Sequence, residues 1–260
     1  LLDAMAYHND MQLETAAYFF RRIQEAAGRP LFTNIMTPGS LNKSWLDQLA
    51  CGETGIQSCR DCIFYSDRRP GRPAAPTAAY DSMRANGILC IDELDIRTYN
   101  ECSASDTHND WVGRCTTPEM FRTVLNKITG YQIAKGMGYW YYDMNQYFAQ
   151  APELHAIMRQ NGDIARKVMT RPDTFKPDVA VILDHDSIFY YAFGVPQGKL
   201  AQRTIKLASN YLAASGVPYD MFYLRDFLKH PEKRSDYKTI IFLSALRLDA
   251  PARMIVDGLK

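Results

Sequence analysis

Short apolar segments alternate along the chain with stretches in which apolar residues recur at helical spacing. This alternation is typical of parallel α/β proteins, because a strand buried on both faces is a continuous apolar run. In the first part of the chain, buried strands are predicted at 30–36, 61–65, 88–91 and 138–143. Helices are predicted over 11–27, over 43–50, from Thr117 onward and over 151–168. Thr117-Pro118-Glu119 indicates a helix start because it combines a capping side chain, a proline suited to the first turn and an early carboxylate.

The pattern changes at Thr170-Arg171-Pro172-Asp173, which is typical of a linker between domains. Beyond it, strands are predicted at 179–183, 221–222 and 239–243, and helices at about 199–214 and from Pro251. We therefore predict two α/β domains, residues 1–170 and 171–260.

Composition and charge narrow the classes of partner. The 260 residues are 47% hydrophobic and 23% charged, as in ordinary globular proteins. The net charge of +1 gives no reason to expect nucleic acid as a partner, and no apolar run is long enough to predict a membrane span. The chain begins at Leu1 without a methionine and ends at Lys260 inside a predicted helix, so we expect a segment of a longer protein.

Carboxylates cluster where the third predicted strand ends. Asp92, Glu93 and Asp95 follow the apolar run, and Arg97 comes shortly after them. Alternation along a strand puts Glu93 on one face of the sheet and Asp92 on the other. Arg97 can keep a neighbouring carboxylate ionised, and an ionised carboxylate is what a glycosidase nucleophile needs. Position favours a functional site here over the alternative, the solvated acidic start of a helix.

Aromatic side chains concentrate at the fourth predicted strand and its exit, at Tyr139, Trp140, Tyr141, Tyr142 and Tyr147. About half of them must face the core, but tyrosine and tryptophan at a strand end also make good platforms for sugar rings. Tyr65 and Asp143 end the second and fourth predicted strands. The predicted substrate-binding residues are therefore Tyr65, Asp92, Asp95, Arg97, Trp140, Tyr142 and Asp143.

Other chemistries find little support in the sequence. There is no nucleophile elbow and no phosphate-binding loop, and Gly136-Met137-Gly138 precedes a strand rather than a helix. The single C-x-x-C pair, Cys59 and Cys62, has no second pair to complete a zinc site, and free thiols are the plainer interpretation. Asp184-His185-Asp186 is more typical of a loop than of a metal site. We predict neither a cofactor nor a metal.

The stretch from Tyr80 to Thr98, which contains Gly-Ile-Leu-Cys-Ile-Asp-Glu-Leu-Asp, resembles the seventh barrel strand of β-galactosidase-like enzymes related to glycoside hydrolase family 42. Residues 134–143 are similar to the eighth strand of that barrel. Residues 178–260 resemble the trimerisation domain that follows it, a flavodoxin-like module related to class I glutamine amidotransferases. The resemblance covers most of the chain.

The resemblance implies the C-terminal part of a TIM (β/α)8 barrel, strands five to eight, followed by a flavodoxin-like α/β domain. It implies a retaining glycosidase acting on β-linked sugars, with Glu93 as the nucleophile, and a homo-oligomer, by resemblance a trimer. In this family the general acid/base is a glutamate ending strand four. That strand falls before residue 1 by our count, so we expect the segment alone to be incomplete as an enzyme.

Two other classes of function remain open at this point. The chain is alternatively a non-catalytic carbohydrate-binding or assembly protein that kept the barrel and lost its chemistry. An amidotransferase acting through the second domain is less favoured, because it needs a cysteine nucleophile and no cysteine follows Cys115.

Overall fold

The computed structural model describes most of the chain. The described residues are 2–29, 31, 34–38, 56–60, 69–76, 78–100, 113–143, 146, 148–171, 175–184, 187, 208–243, 245 and 247–259. The strands are β1 (Asn34–Pro38), β2 (Ile56–Arg60), β3 (Leu89–Leu94), β4 (Gly138–Tyr141), β5 (Val179–Leu183), β6 (Tyr219–Tyr223) and β7 (Thr239–Leu243). The helices are α1 (Leu2–Ala27), α2 (Tyr80–Ala85), α3 (Pro118–Ala134), α4 (Pro152–Met169), α5 (Leu224–Lys229), α6 (Pro231–Arg234) and α7 (Ala250–Asp257). Residues 208–214 are also helical.

The described strands form two sheets in which every pairing is parallel, so the molecule is a mixed α/β protein. The first sheet has the order β1-β2-β3-β4, each strand lying beside the next one in the chain. The second sheet has the order β6-β5-β7, with the earliest strand in the middle. No helix in the described ranges is long and apolar enough to cross a membrane.

Local sequence explains where the best-defined helix, α3, begins and ends. The Thr117 hydroxyl accepts a hydrogen bond from the Met120 amide at 3.2 Å, and Pro118 occupies the first turn, which confirms the predicted start. The helix stops before Gly136, whose φ of +67° is a left-handed conformation that glycine adopts readily. Phe121, Val124, Leu125 and Ile128 form its buried face.

Both sheets contribute to one hydrophobic core. Val181 and Met221 of the second sheet pack in the same cluster as Tyr80, Met83 and Leu94 of the first part of the chain. A smaller cluster covers the other face of the second sheet, around Ile182 and Phe227. The domain boundary at 170/171 therefore stays a prediction, since the two sheets are separate but share buried side chains.

Helix α2 is the main link between the two parts. It precedes β3 in the chain, yet it lies along β6, the edge strand of the second sheet. The Asp81 carboxylate accepts a hydrogen bond from the Met221 amide at 2.8 Å, and the Ser82 hydroxyl accepts one from the Tyr223 amide at 2.7 Å. These side chains satisfy backbone donors that an edge strand otherwise leaves without partners.

Most predicted elements are confirmed within the described residues, with different bounds in some cases. The strands predicted at 179–183 and 239–243 are confirmed as β5 and β7. The helix predicted at 11–27 begins earlier, at Leu2. The strand that pairs with β1 and β3 is Ile56–Arg60, whereas the predicted strand 61–65 and the predicted helix 43–50 lie outside the described residues.

Candidate functional site

The candidate site lies at the carboxyl end of β3, an inner strand of the first sheet. Strand β3 extends through Asp92 and Glu93 rather than ending at Ile91. Asp92, Glu93 and Asp95 are 1%, 4% and 1% exposed. The alternative interpretation, a solvated acidic helix start, is therefore wrong: these carboxylates are buried and two of them lie within a strand.

Asp92 faces the helical layer that packs behind the sheet. Its carboxylate accepts a hydrogen bond from the Gln132 side-chain amide of α3, and Gln132 is fully buried. Cys90, on the same face of β3, belongs to the hydrophobic core. Asp92 therefore links β3 to α3 through a buried hydrogen bond, and its predicted role in binding substrate stays a prediction.

Glu93 lies on the opposite face of β3 by strand alternation. The other residues of that face are more accessible: Leu89 is 40% exposed and Ile91 is half-buried. Trp140 of β4 is the register partner of Glu93, and neighbouring residues at paired positions project from the same face. Glu93 and Trp140 thus share the face of the sheet that is turned away from Gln132.

An ion pair follows the carboxylates along the chain. Arg97 Nε lies 3.5 Å from Asp95 Oδ1, and the Arg97 side chain is 22% exposed while that of Asp95 is buried. Backbone pairing continues past the end of β4, because the Tyr142 amide donates to the Leu94 carbonyl at 3.1 Å. The structure therefore brings Glu93, Asp95, Arg97 and Tyr142 to one edge of the sheet.

The aromatic residues of β4 divide between core and surface. Tyr139 and Tyr141 pack against the hydrophobic core. Trp140 is 38% exposed, and its ring lies edge-on to the ring of Tyr142 at 6.0 Å between centroids. Tyr142 is half-buried and also packs against the core, so Trp140 is the exposed member of two adjacent aromatic side chains at this strand end.

Of the remaining predicted residues Tyr65, Asp143 and Tyr147, the structure describes only Asp143. Asp143 is exposed just beyond β4, whereas Tyr65 and Tyr147 lie outside the described residues. The following loop holds Gln146 and Gln150 at φ values of +57° and +53°, unusual for residues other than glycine. Strained backbone of this kind concentrates at functional sites, and here it adjoins the carboxyl edge of the first sheet.

The carboxyl end of β5 carries a separate polar contact. The buried carboxylate of Asp184 accepts a hydrogen bond from the Ser187 hydroxyl, which in turn accepts one from the Arg247 amide at 3.0 Å. Through Ser187, Asp184 therefore connects the segments that follow β5 and β7. Within the described ranges, no group of three histidine, cysteine, aspartate or glutamate residues is close enough to hold a metal ion.

Gln132 is the site-supporting residue that the sequence analysis missed. It occupies the position that follows Phe121, Val124, Leu125 and Ile128 on the buried face of α3. A polar side chain on an apolar helical face must find a hydrogen-bond partner, and this signal predicts a buried contact without identifying Asp92 as the partner.

Comparison with known proteins adds no identification to this geometry: no protein-family model matches the chain, and no curated protein matches it either.

Proposed function

We propose that this protein is a retaining glycosidase that acts on β-linked sugars and uses Glu93 as its nucleophile. One observation carries the proposal. Glu93 is a buried glutamate at the carboxyl end of an inner parallel strand, beside the Asp95–Arg97 pair and the Trp140–Tyr142 aromatic pair. Active sites of parallel α/β folds gather at this edge of the sheet.

The order of the first sheet supports a TIM barrel. In such a barrel each strand lies beside its successor, joined by helical crossovers, whereas a doubly wound sheet reverses direction. Strands β1 to β4 follow one another without reversal. Helix α2 lies in the connection between β2 and β3, and α3 lies in the connection between β3 and β4. In this proposal β1 to β4 are strands five to eight of the barrel.

The order of the second sheet supports a flavodoxin-like domain. Strand β5 lies between β6 and β7, which matches the first three strands of the flavodoxin-like order 2-1-3. By the resemblance noted above, this domain assembles the protein as a homo-trimer. Light scattering of the intact protein should then give the mass of three chains, and the mass of a single chain would contradict this part of the proposal.

The proposed reaction proceeds by two displacements. The Glu93 carboxylate attacks the anomeric carbon, and the bond from that carbon to the leaving-group oxygen breaks. The leaving group takes a proton from a second carboxyl group, which then helps water to hydrolyse the glycosyl ester. In this proposal Trp140 and Tyr142 offer faces for the sugar ring, and Asp95, Arg97 and Asp143 bind its hydroxyl groups.

Substitution of Glu93 in the intact protein tests the proposal. Glu93→Gln should lower the turnover of 4-nitrophenyl β-galactoside by several orders of magnitude, because the covalent step is lost. With Glu93→Ala, added azide should restore turnover and give the α-glycosyl azide, since azide takes the place of the missing carboxylate. A product of the opposite configuration would assign Glu93 to acid/base catalysis instead.

Glu119→Gln is the matched control, because Glu119 is an exposed glutamate in the first turn of α3. Its turnover should equal that of the unmodified protein. If Glu93→Gln kept more than a tenth of the original activity, while both variants melted cooperatively, the nucleophile would be a different residue.

A further inference from the structure

We propose a second binding site, for an amphipathic organic anion, in the cleft between the two parts of the chain. The cleft has a volume of about 920 Å³, which is at the upper end of the range of roughly 300–1,000 Å³ found for small-molecule sites. Ligand sites often form at domain junctions. The inference does not depend on the proposed glycosidase activity.

The cleft lies away from the candidate catalytic residues. Its lining includes Gly136, Pro177 and Pro218, which precede β4, β5 and β6. It therefore opens at the amino ends of these strands, whereas Glu93 and Tyr142 mark the carboxyl edge of the first sheet. A ligand in the cleft would contact both parts of the chain without touching the proposed nucleophile.

Apolar side chains line the cleft and remain accessible. Val168, Met169, Phe175 and Val217 are 37%, 62%, 63% and 50% exposed, although each lines the same cavity. Apolar side chains grouped around a concave surface favour an apolar ligand body over a sugar, whose hydroxyl groups need several polar partners.

The charges of the lining favour an anion. Arg84, Lys135 and Arg171 line the cleft, and Asp220 is the single carboxylate among its described lining residues. Asp220 already lies 3.0 Å from Lys135 Nζ and accepts a hydrogen bond from the Tyr237 hydroxyl at 2.8 Å. The buried Asp81 also pairs with Lys135 at 2.8 Å and with Arg84 at 3.4 Å, so Asp81 and Asp220 offset these two cations. The remaining lining cation, Arg171, leaves the balance of charge positive, which suits a ligand with one carboxylate.

A glycine on the cleft wall leaves room for the ligand. Gly130 lies in the middle of α3, where glycine weakens a helix relative to alanine. A Cβ atom built at this position meets no atom within 4 Å, so the space above the backbone is open. We therefore expect a larger side chain at this position to project into the cleft.

The experiment uses decanoate as the probe and isothermal titration calorimetry of the full chain. We expect saturable binding at one site. Gly130→Phe should weaken it at least tenfold, because the ring occupies the ligand's volume. Gly130→Ala should bind as the unmodified protein does. Gly162→Phe is the matched control, since Gly162 lies on α4 outside the cleft lining.

A second pair of measurements tests the charge. Arg171→Gln should weaken decanoate binding at least threefold and leave the binding of decan-1-ol unchanged. Equal affinity for the acid and the alcohol would overturn the assignment of an anion. Absence of saturable binding, or unchanged binding in Gly130→Phe, would overturn the site. If Gly130→Phe does not fold, Ala213→Trp takes its place, because Ala213 also lines the cleft.

Discussion

Two adjacent carboxylates, Asp92 and Glu93, have different surroundings because neighbouring strand residues point to opposite faces. This separation could be predicted from the sequence alone, since it needs only the position of the strand. The contact between Asp92 and Gln132 could not be predicted, because it depends on which face of α3 packs behind β3. Local periodicity thus determines which face a residue occupies, and tertiary packing determines its partner.

The pKa of Tyr99 tests whether its side chain contacts Glu153 in solution. Its hydroxyl donates a hydrogen bond to the Glu153 carboxylate, and this contact raises the pKa of Tyr99 to about 12. The raised pKa favours folding below the unfolded-state value of about 10, and that contribution is lost as the pH rises through about 12. Glu153→Gln should return the pKa of Tyr99 toward about 10 in an NMR titration of labelled tyrosine.

Glu232→Gln is the control for this measurement, because the Glu232 carboxylate is hydrogen-bonded to the ring of His230 rather than to a tyrosine. It should leave the pKa of Tyr99 unchanged. An unchanged Tyr99 titration in Glu153→Gln would show that the two side chains do not interact in solution.

At the scale of elements, α2 escaped prediction because its decisive contacts are distant in sequence. The helix has six residues, and Asp81 and Ser82 resemble surface positions when only their neighbours in the chain are considered. Their partners on β6 are 140 and 141 residues away. Strand β2, Ile56–Arg60, also escaped prediction because it lacks a continuous apolar run, and its pairing with β1 and β3 is a tertiary contact.

Ser82→Ala tests the covering of the β6 edge. The substitution leaves the buried Tyr223 amide without its acceptor, which should lower the free energy of unfolding by about 1–3 kcal/mol. Urea unfolding followed by circular dichroism measures the change. Ser235→Ala removes an exposed hydroxyl and should stay within about 0.5 kcal/mol of the unmodified protein. Equal effects of the two substitutions would contradict the proposed role of Ser82.

A buried charge network reinforces the same junction. Lys135 Nζ lies 2.8 Å from Asp81 and 3.0 Å from Asp220, and it also donates to the Tyr219 carbonyl at 2.8 Å. Burial raises the pKa of Asp81 despite the nearby lysine. Burial also acts to raise the pKa of Asp220, but Lys135 and the Tyr237 hydroxyl outweigh it, so the pKa of Asp220 is lowered.

Lys135→Met should destabilise the protein by about 3–5 kcal/mol at neutral pH, because it leaves two buried carboxylates without their main cation. The cost should shrink as the pH falls toward 4. The lowered pKa of Asp220 contributes stability above its unfolded value of about 3.9, and this contribution is lost on acidification. In the variant, both aspartates can instead take up protons. Urea unfolding at several pH values measures the difference.

Lys238→Met is the matched control, since Lys238 pairs with Asp178 at the surface with both side chains largely exposed. It should cost at most about 1 kcal/mol at any pH. A cost for Lys135→Met that did not vary with pH would show that the carboxylates are not responsible.

For the whole molecule, the shared core predicts that the two sheets unfold together. Val181 and Met221 pack with Tyr80 and Met83, so separating the two parts would expose apolar surface on both. Native-state hydrogen exchange should give amides of β3 and β5 the same free energy of opening within about 1 kcal/mol. Ser82→Ala should lower both values equally. A distinctly lower opening energy for β5 would identify an independent second domain.

The architecture as a whole was more predictable than its boundaries. The apolar runs at 179–183 and 239–243 become strands because such segments are stable only when covered on both faces. The predicted division at 170/171 rests on a change in composition at Arg171-Pro172. A change in composition carries no information about the packing of α2 against β6. Hydrogen bonds from the backbone of a distant strand to side chains such as Asp81 and Ser82 leave no periodic signal in a sequence.

The side chains of α2 that cover β6 also set an order of events during protein synthesis. Asp81 emerges from the ribosome 140 residues before the Met221 amide that it will bind. At about 5–20 residues per second, this interval lasts roughly 7–28 s. Throughout that time the nascent first sheet has an incomplete core and a helix without its partner. The first sheet therefore gains the core contacts of the second sheet late in synthesis, and a nascent chain that stops before residue 219 remains accessible to chaperones and proteases.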